Sequence, residues 1–287
     1  MKELLVISGK GGTGKTIITG AFAALARNKV IVDCDVDAAD LHLILHHTVK
    51  EAHLFKSGKL PIIDENRCTQ CGICREVCRF GAVKEDIIIS HIDCEGCGFC
   101  SFACPQEAIT MVENVSGEWY ISDTRYGPLV HARLRPADEN SGKLVTLVKK
   151  KAREIAEKHG HDLILIDGSP GIGCPVIASL SGVSCAIIVT EPTISGLHDA
   201  TRVVEVANHF GVPVRAIVNK YDLNAGMTEK IEKYFTRNGV GIAGKIAFDE
   251  SVVRAMVQGK TIVEYADGIA KDTVQKIWER LAEDLAI

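Results

Sequence analysis

Near the start of the chain, Gly9-Lys10-Gly11-Gly12-Thr13-Gly14-Lys15-Thr16 follows the spacing G-x-x-x-x-G-K-[ST]. Each residue type in that spacing has a task. Glycines let the backbone turn so tightly that successive N–H groups point inward at phosphate oxygens. Lys15 adds a positive charge, and the Thr16 hydroxyl is suited to ligating Mg²⁺. The stretch predicts a site for the phosphates of a nucleotide and its magnesium ion.

Acids that such a site requires occur farther along the chain. The β-branched run Val30-Ile31-Val32 leads into Asp33-Cys34-Asp35-Val36-Asp37, where a parallel strand delivers side chains to the ligand edge of its sheet. Asp35 is suited to orient the water that attacks the γ-phosphate, and Asp33 to support Mg²⁺ indirectly. Asp37 reads equally well as the cap of a following helix. Leu163-Ile164-Leu165-Ile166 ends in Asp167 and is followed by Gly168-Ser169-Pro170-Gly171. This is a Walker B and switch II arrangement: Asp167 reaches Mg²⁺, and Gly171 can offer its N–H to the γ-phosphate. Asn219 ends another apolar run and carries both a donor and an acceptor, which suits an adenine edge. Capping a loop is its alternative role.

Cysteine supplies a second chemistry. Of 11 cysteines, eight fall between Cys68 and Cys104 in two runs. Cys68-x-x-Cys71-x-x-Cys74-x-x-x-Cys78 is repeated as Cys94-x-x-Cys97-x-x-Cys100-x-x-x-Cys104-Pro105. Ile-Asp precedes both runs, and Ala82-Val83 corresponds to Ala108-Ile109, so the whole unit is duplicated. The spacing is that of bacterial ferredoxins with two 4Fe-4S clusters, in which the fourth cysteine of each run binds the other cluster. One cluster takes Cys68, Cys71, Cys74 and Cys104; the other takes Cys94, Cys97, Cys100 and Cys78. A four-cysteine zinc site leaves the doubled spacing unexplained. Arg79 departs from the pattern by standing where proline is usual, adding a charge and a backbone donor near the second cluster. Cys34 and Cys185 read as packing residues.

The elements that position these residues follow from periodicity. Leu4 to Ile7 reads as a buried strand and Lys15 to Arg27 as a helix, with the glycine loop between them. A helix through Asp40 to His47 carries His42, His46 and His47 as surface or packing residues. Strands are expected at Trp119 to Ile121 and Leu129 to Ala132. A long helix follows, capped by Asn140-Ser141 and ending at Gly160; Ser141-Gly142-Lys143 reads as ordinary capping. Further strands are expected at Ala186 to Val189, Val214 to Val218 and around Lys245 to Phe248. The last helix places Val274, Ile277, Trp278, Leu281 and Leu285 on one stripe, as a helix docked on a core does. The fold class is α/β: a mostly parallel P-loop NTPase sheet flanked by helices, with an inserted α+β ferredoxin-type domain. Residues 1–60 and 114–287 form the discontinuous ATPase domain, and 61–113 the insert.

Composition narrows the partners. A net charge of −4 gives no general attraction to nucleic acid or to an anionic membrane. The N-terminal residues lack the charged and apolar pattern of a secretory leader. Cys174 to Thr190 is interrupted by proline, glycine and serines, so it reads as a helix and a strand rather than a membrane span. Without the leader pattern the chain is read as cytoplasmic, a reducing compartment in which clustered cysteines point to a metal site rather than to disulfides.

Lys10, a second lysine at the start of the loop, resembles the deviant Walker A of the MinD, Mrp and nitrogenase iron protein group of ATPases. Asp33-x-Asp35, Asp167-x-x-Pro170-Gly171 and Asn219 match that group's switch I, switch II and base-binding positions. The cysteine runs make the chain look like MinD-superfamily ATPases that carry an inserted ferredoxin. The resemblance implies two subunits, as a homodimer or with a related ATPase, sandwiching two ATP molecules, with Lys10 contacting the partner's nucleotide. Cys174 lies at the position of a switch II cysteine that shares a cluster across the dimer in the nitrogenase iron protein; a buried packing thiol is its alternative reading. The second cysteine of that shared cluster has no counterpart. The function implied is ATP-gated electron transfer from the clusters to a redox partner. The rival is ATP-dependent assembly or delivery of a cluster to an acceptor protein, although Mrp-type carriers use a Cys-x-x-Cys that Cys34, Cys174 and Cys185 cannot form. A positioning ATPase is a third reading, weakened by the lack of a basic terminal helix.

Overall fold

In a computed structural model of the chain, the structure describes residues 1–136, 138, 141–265 and 267–287. It divides into two compact units. The first comprises Met1–Ala52, Trp119–Arg133 and Ser141–Ile287, and the second His53–Glu118 with Leu134–Asn140.

The first unit opens with β1 (Lys2–Ile7), α1 (Lys15–Leu25), β2 (Lys29–Asp33) and the short α2 (Leu41–Leu45). The chain passes into the second unit along β3 (Thr48–Ile63), forms α3 (Ile73–Glu76) and α4 (Phe99–Ala103) there, and returns along β4 (Ile109–Thr124) to β5 (Gly127–Leu134). Strands and helices then alternate: α5 (Ser141–His159), β6 (Leu163–Asp167), α6 (Cys174–Leu180), β7 (Cys185–Thr190), α7 (Ile194–His209) and β8 (Val214–Asn219). After β8 come α8 (Ala225–Arg237), β9 (Gly241–Ile246), α9 (Glu250–Val257), α10 (Ile262–Tyr265) and α11 (Ile269–Leu285). The nine strands make one sheet in the order β3-β4-β5-β2-β6-β1-β7-β8-β9. From β5 to β9 every recorded pairing is parallel. The fold is thus the mostly parallel, helix-flanked α/β sheet that the alternating elements predict.

Central strands read as unbroken apolar runs because helices cover both of their faces. Leu4, Leu5, Val6 and Ile7 have no exposed surface at all. Parallel register has a direct consequence for chemistry. Asp33 pairs with Asp167 across β2 and β6, and Val6 pairs with Asp167 across β1 and β6. Both acids therefore emerge side by side, where β1 runs out into the glycine loop.

The stripe on α11 is buried, and Trp278 packs its ring 5.2 Å from that of Phe22 on α1. β9 starts earlier than expected, at Gly241. Its Gly244 lies so close to Ile277 that an added Cβ would stand 2.4 Å from that side chain. Two glycines erase the side-chain alternation by which the strand start is normally read. The helix at residues 40–47 stops at Leu45 because His46 turns left-handed, at φ 50°. The expected cap at Asn140 lies outside the described residues. No helix among the described residues is long and apolar enough to cross a membrane.

The second unit has a small core. Cys74, Val83 and Ile109 are buried together, with Ile63, Ile89 and the thiols of Cys78, Cys100 and Cys104 packed against them. Cysteines thus provide a large share of its interior.

Candidate functional site

Gly14 caps α1 in a left-handed conformation, φ 93°, and aims the first turn of the helix at the mouth of the loop. Lys15 is buried with its Nζ 3.0 Å from Asp167 Oδ2 and 3.6 Å from Asp35 Oδ2. Thr16 donates its hydroxyl to Asp167 Oδ2 at 2.8 Å, and Thr19 donates to Oδ1 at 2.8 Å. Asp167 is therefore the centre of the site, and Thr16 and Lys15 converge on it as the motifs predict. Thr19 is an additional partner, one helical turn after Lys15.

Electrostatics at this edge are strained by the crowding of three acids. Burial would lower the Lys15 pKa, but Asp167, Asp33 and Asp35 together outweigh it and raise it. Burial, helped by Asp167, pushes Asp35 up to about 6 against the pull of Lys15. Asp33 is fully buried and pushed well above the carboxylate range, first by burial and then by Asp167. Its two oxygens accept the N–H groups of Asp35 at 3.0 Å and Leu41 at 3.2 Å. Its carboxyl group thus holds the turn that presents Asp35.

The loop, Asp35, Ser169, Pro170 and Asn219 line a cavity of about 620 Å³, large enough for a nucleotide. Phe248, Val252, Val253 and Met256 make one apolar part of its wall, a suitable surface for a base ring. Nothing in the sequence marks these four as part of a site, and Phe248, expected at the end of a strand, lies beyond β9, which ends at Ile246. Thr13 in the loop is 2 % exposed, and its Oγ1 has no hydrogen-bond partner among the described residues. A buried hydroxyl without a partner is costly, so this orphan marks where a ligand oxygen is wanted.

Two sequence-predicted groups are engaged within the protein. Asn219 donates its Nδ2 to the Thr13 carbonyl at 2.8 Å, and its Oδ1 accepts from the Lys220 N–H at 3.0 Å. An added Cβ at Gly14 would lie 2.4 Å from the same Nδ2. Asn219 therefore braces the phosphate loop, which is the loop-capping role. The Gly171 N–H donates to the Ser8 carbonyl at 3.0 Å, so it must change partner before it can serve a phosphate.

Lys10 reaches away from the cavity centre. Its Nζ stands 2.6 Å from Glu191 Oε1 and 3.1 Å from Ser195 Oγ. Lys220 Nζ holds the other Glu191 oxygen at 3.3 Å. Burial acts to raise the Glu191 carboxyl, yet the two lysines outweigh it and hold it below its ordinary value. No periodicity or motif marks Glu191 in the sequence.

Eight cysteines fall in two groups. Cys68, Cys71, Cys74 and Cys104 line one cavity, and Cys78, Cys94, Cys97 and Cys100 line another. In each, three thiols of one run meet the fourth thiol of the other. Among the described residues no three His, Cys, Asp or Glu side chains gather closely enough to hold a single metal ion. A cubane binds one thiolate per iron, so its ligands stand farther apart than donors sharing one ion. Backbone N–H groups of Gln70 and Ala108 donate to Cys68 and Cys104 Sγ, both at 3.4 Å. The residues present suit two cubane clusters. Cys174 is exposed, so the buried packing reading fails for it, whereas Cys34 and Cys185 are buried. Burial pushes the Cys34 thiol up to about 12, leaving it unreactive.

Residues 4–262 match the model of the CobQ/CobB/MinD/ParA nucleotide-binding domain. The chain belongs to this nucleotide-binding family. Over 286 residues it is 33% identical to an uncharacterized protein of Methanocaldococcus jannaschii, covering 98% of this chain and 96% of that one. It is 24% identical to an iron-sulfur cluster carrier protein of Pyrococcus furiosus, over 99% of this chain and 86% of the relative. A short stretch, 22% of this chain, is 35% identical to 88% of pyruvate synthase subunit PorD of Methanothermobacter marburgensis. Among solved structures, the cell division ATPase MinD of Pyrococcus furiosus superposes with a TM-score of 0.60 at 20% identity, each chain covered to 98%. That likeness establishes a MinD-like fold for this member of the family.

Proposed function

We propose that this protein is a dimeric ATPase that couples Mg-ATP binding and hydrolysis to electron transfer from two 4Fe-4S clusters. The observation that carries the reading is the pairing of one phosphate-loop cavity with two cavities that each gather three thiols of one cysteine run and the fourth of the other. Residues 1–60 and 114–287 serve as the ATPase domain and 61–113 as the ferredoxin-type insert, in the reducing cytoplasm.

Each part of the nucleotide site has a task in this reading. The loop N–H groups and Lys15 neutralise the phosphates, while Thr16 and Asp167 hold Mg²⁺ with Asp33 fixing the neighbouring turn. Asp35 orients the attacking water. Lys10 leaves Glu191 and stabilises the partner's nucleotide in the manner of an arginine finger, a device worth about 10³ to 10⁵ in rate. Gly171 exchanges the Ser8 carbonyl for a phosphate oxygen, and switch II moves with it. ATP is a conformational switch here. When bound, the clusters supply one-electron redox couples; Cys68, Cys71, Cys74 and Cys104 hold one, and Cys78, Cys94, Cys97 and Cys100 the other.

The likeness to an iron-sulfur cluster carrier over nearly the whole chain favours a second reading, delivery of a cluster to an acceptor protein. Iron analysis after mixing with an apo-acceptor separates the two. Electron transfer predicts about 8 iron atoms per chain that stay on this protein through ATP turnover. Loss of iron to the acceptor on adding ATP favours delivery. An additional ~2 atoms per chain, lost in Cys174→Ser, would reveal a cluster shared across the dimer.

A further inference from the structure

Val252, Val253 and Met256 line the nucleotide cavity from α9, yet of the eight residues of this helix only Ala255 is buried. Val253 and Met256 are 54% and 47% exposed. A helix that buries so little apolar surface gains little from the hydrophobic effect, so the polar contacts at its two ends do much of the work of placing it. At its start the Phe248 N–H donates to Asp222 Oδ1 at 2.7 Å, and Asp249 caps the first turn by accepting from the Ser251 N–H at 2.8 Å.

At its far end the chain turns left-handed at Gly259, φ 65°, and the Gly259 carbonyl accepts two side-chain donors. Arg125 Nη2 reaches it at 3.1 Å and His46 Nε2 at 2.8 Å. A carbonyl only accepts, so His46 carries a proton on Nε2. The same Arg125 Nη2 donates to the Ile44 carbonyl of α2 at 3.2 Å, and its Nη1 donates to Glu264 Oε1 of α10. The Tyr126 hydroxyl donates to the other Glu264 oxygen at 3.0 Å, and its ring lies 5.3 Å from the guanidinium. One planar cation in the turn between β4 and β5 thus ties the end of α9 to α2 and α10, a task suited to the arginine fork. The fit is close: an added Cβ at Gly259 would stand 3.4 Å from both His46 Nε2 and the Leu43 carbonyl. All of these residues belong to the first unit.

We infer that Arg125, assisted by His46, is a positioning residue for nucleoside recognition: it fixes the end of α9 so that Val252, Val253 and Met256 meet the apolar face of the base. This rests on the reading of the cavity as an ATP site. The phosphates are held by the glycine loop and Lys15, which Arg125 does not touch, so its effect falls on the nucleoside alone.

The test is a calorimetric titration of the anaerobic full-length protein with Mg-ATP and with magnesium tripolyphosphate, which carries the phosphates without the nucleoside; thermal unfolding checks that each variant is folded. The wild type should bind Mg-ATP more tightly than the tripolyphosphate. Arg125→Met keeps the aliphatic stem and removes the donors. It should weaken Mg-ATP binding by about tenfold, the loss of one charge-assisted hydrogen bond, and leave tripolyphosphate binding as in the wild type. Arg125→Lys restores the charge without the fork and should recover part of the loss. An equal loss for both ligands overturns the inference, because it marks a general loosening of the fold, and so does unchanged Mg-ATP binding in Arg125→Met. If Arg125→Met does not fold, Arg125→Lys decides by the same comparison. A wild type that binds neither ligand overturns the ATP-site reading and this inference with it. A wild type that binds both equally overturns the inference alone.

Discussion

Lys10 is held by its own chain: its Nζ lies 2.6 Å from Glu191 Oε1. Glu191 also grips Lys220, whose Nζ is 3.5 Å from the Gly12 carbonyl of the phosphate loop. A lysine that acts on a partner's nucleotide must first break this pair. Half-exposed ion pairs contribute about 0.5–1 kcal/mol, so Glu191→Gln should favour the ATP-bound dimer by up to about fivefold. Sedimentation with a non-hydrolysable ATP analogue measures it. Weaker dimerisation in the variant would show that Glu191 assists assembly.

Lys10→Ala should bind Mg-ATP as the wild type does and lose dimer-dependent hydrolysis. Lys15→Ala removes the charge that Asp167 and Asp35 hold in the cavity, and should abolish productive nucleotide binding. Calorimetric titration beside phosphate release distinguishes the two lysines. Wild-type hydrolysis by Lys10→Ala would remove its role in the partner's site.

Asp35 predicts a pH dependence. Its carboxyl, pushed up to about 6 from an ordinary 3.8, binds a proton more tightly in the folded chain than in the unfolded one. Its contribution to nucleotide-free stability is therefore full below about pH 4 and lost as pH rises through about 6. Hydrolysis should move oppositely, rising through the same range as the carboxylate forms. Asp35→Asn should flatten both profiles and lower the rate. A stability profile unchanged by the substitution would contradict the assignment.

Several thiols pack into the small core of the second unit, so metal binding should contribute directly to its folding. Removing iron should abolish hydrogen-exchange protection across residues 61–113 while β1 and β6 keep theirs. Equal protection with and without iron would count against the cluster sites.

Residues whose chemistry demands a fixed spacing were legible in the sequence. The glycine loop, the acids at the strand ends and each cysteine run are local patterns in the chain, whereas the crossed fourth thiol of each set, Cys104 or Cys78, comes from the other run. Residues fixed by tertiary contact were not legible. Glu191 acquires its role only when β7 carries it next to Lys10. Phe248 and Met256 become part of the cavity wall through the packing of α9. β3 escaped notice because seven of its first residues, Thr48 to Leu54, are exposed and show no alternation. Asn219 and Gly171 have the right groups, but hydrogen bonds within the protein decide what those groups do in this state.

The central claim is that nucleotide controls the clusters, and their reduction potentials measured with and without Mg-ATP test it most directly. The account predicts that Mg-ATP shifts the midpoint of at least one cluster in the wild type and of neither in Lys15→Ala. Two clusters whose potentials ignore Mg-ATP, in the presence of the redox partner, would contradict it.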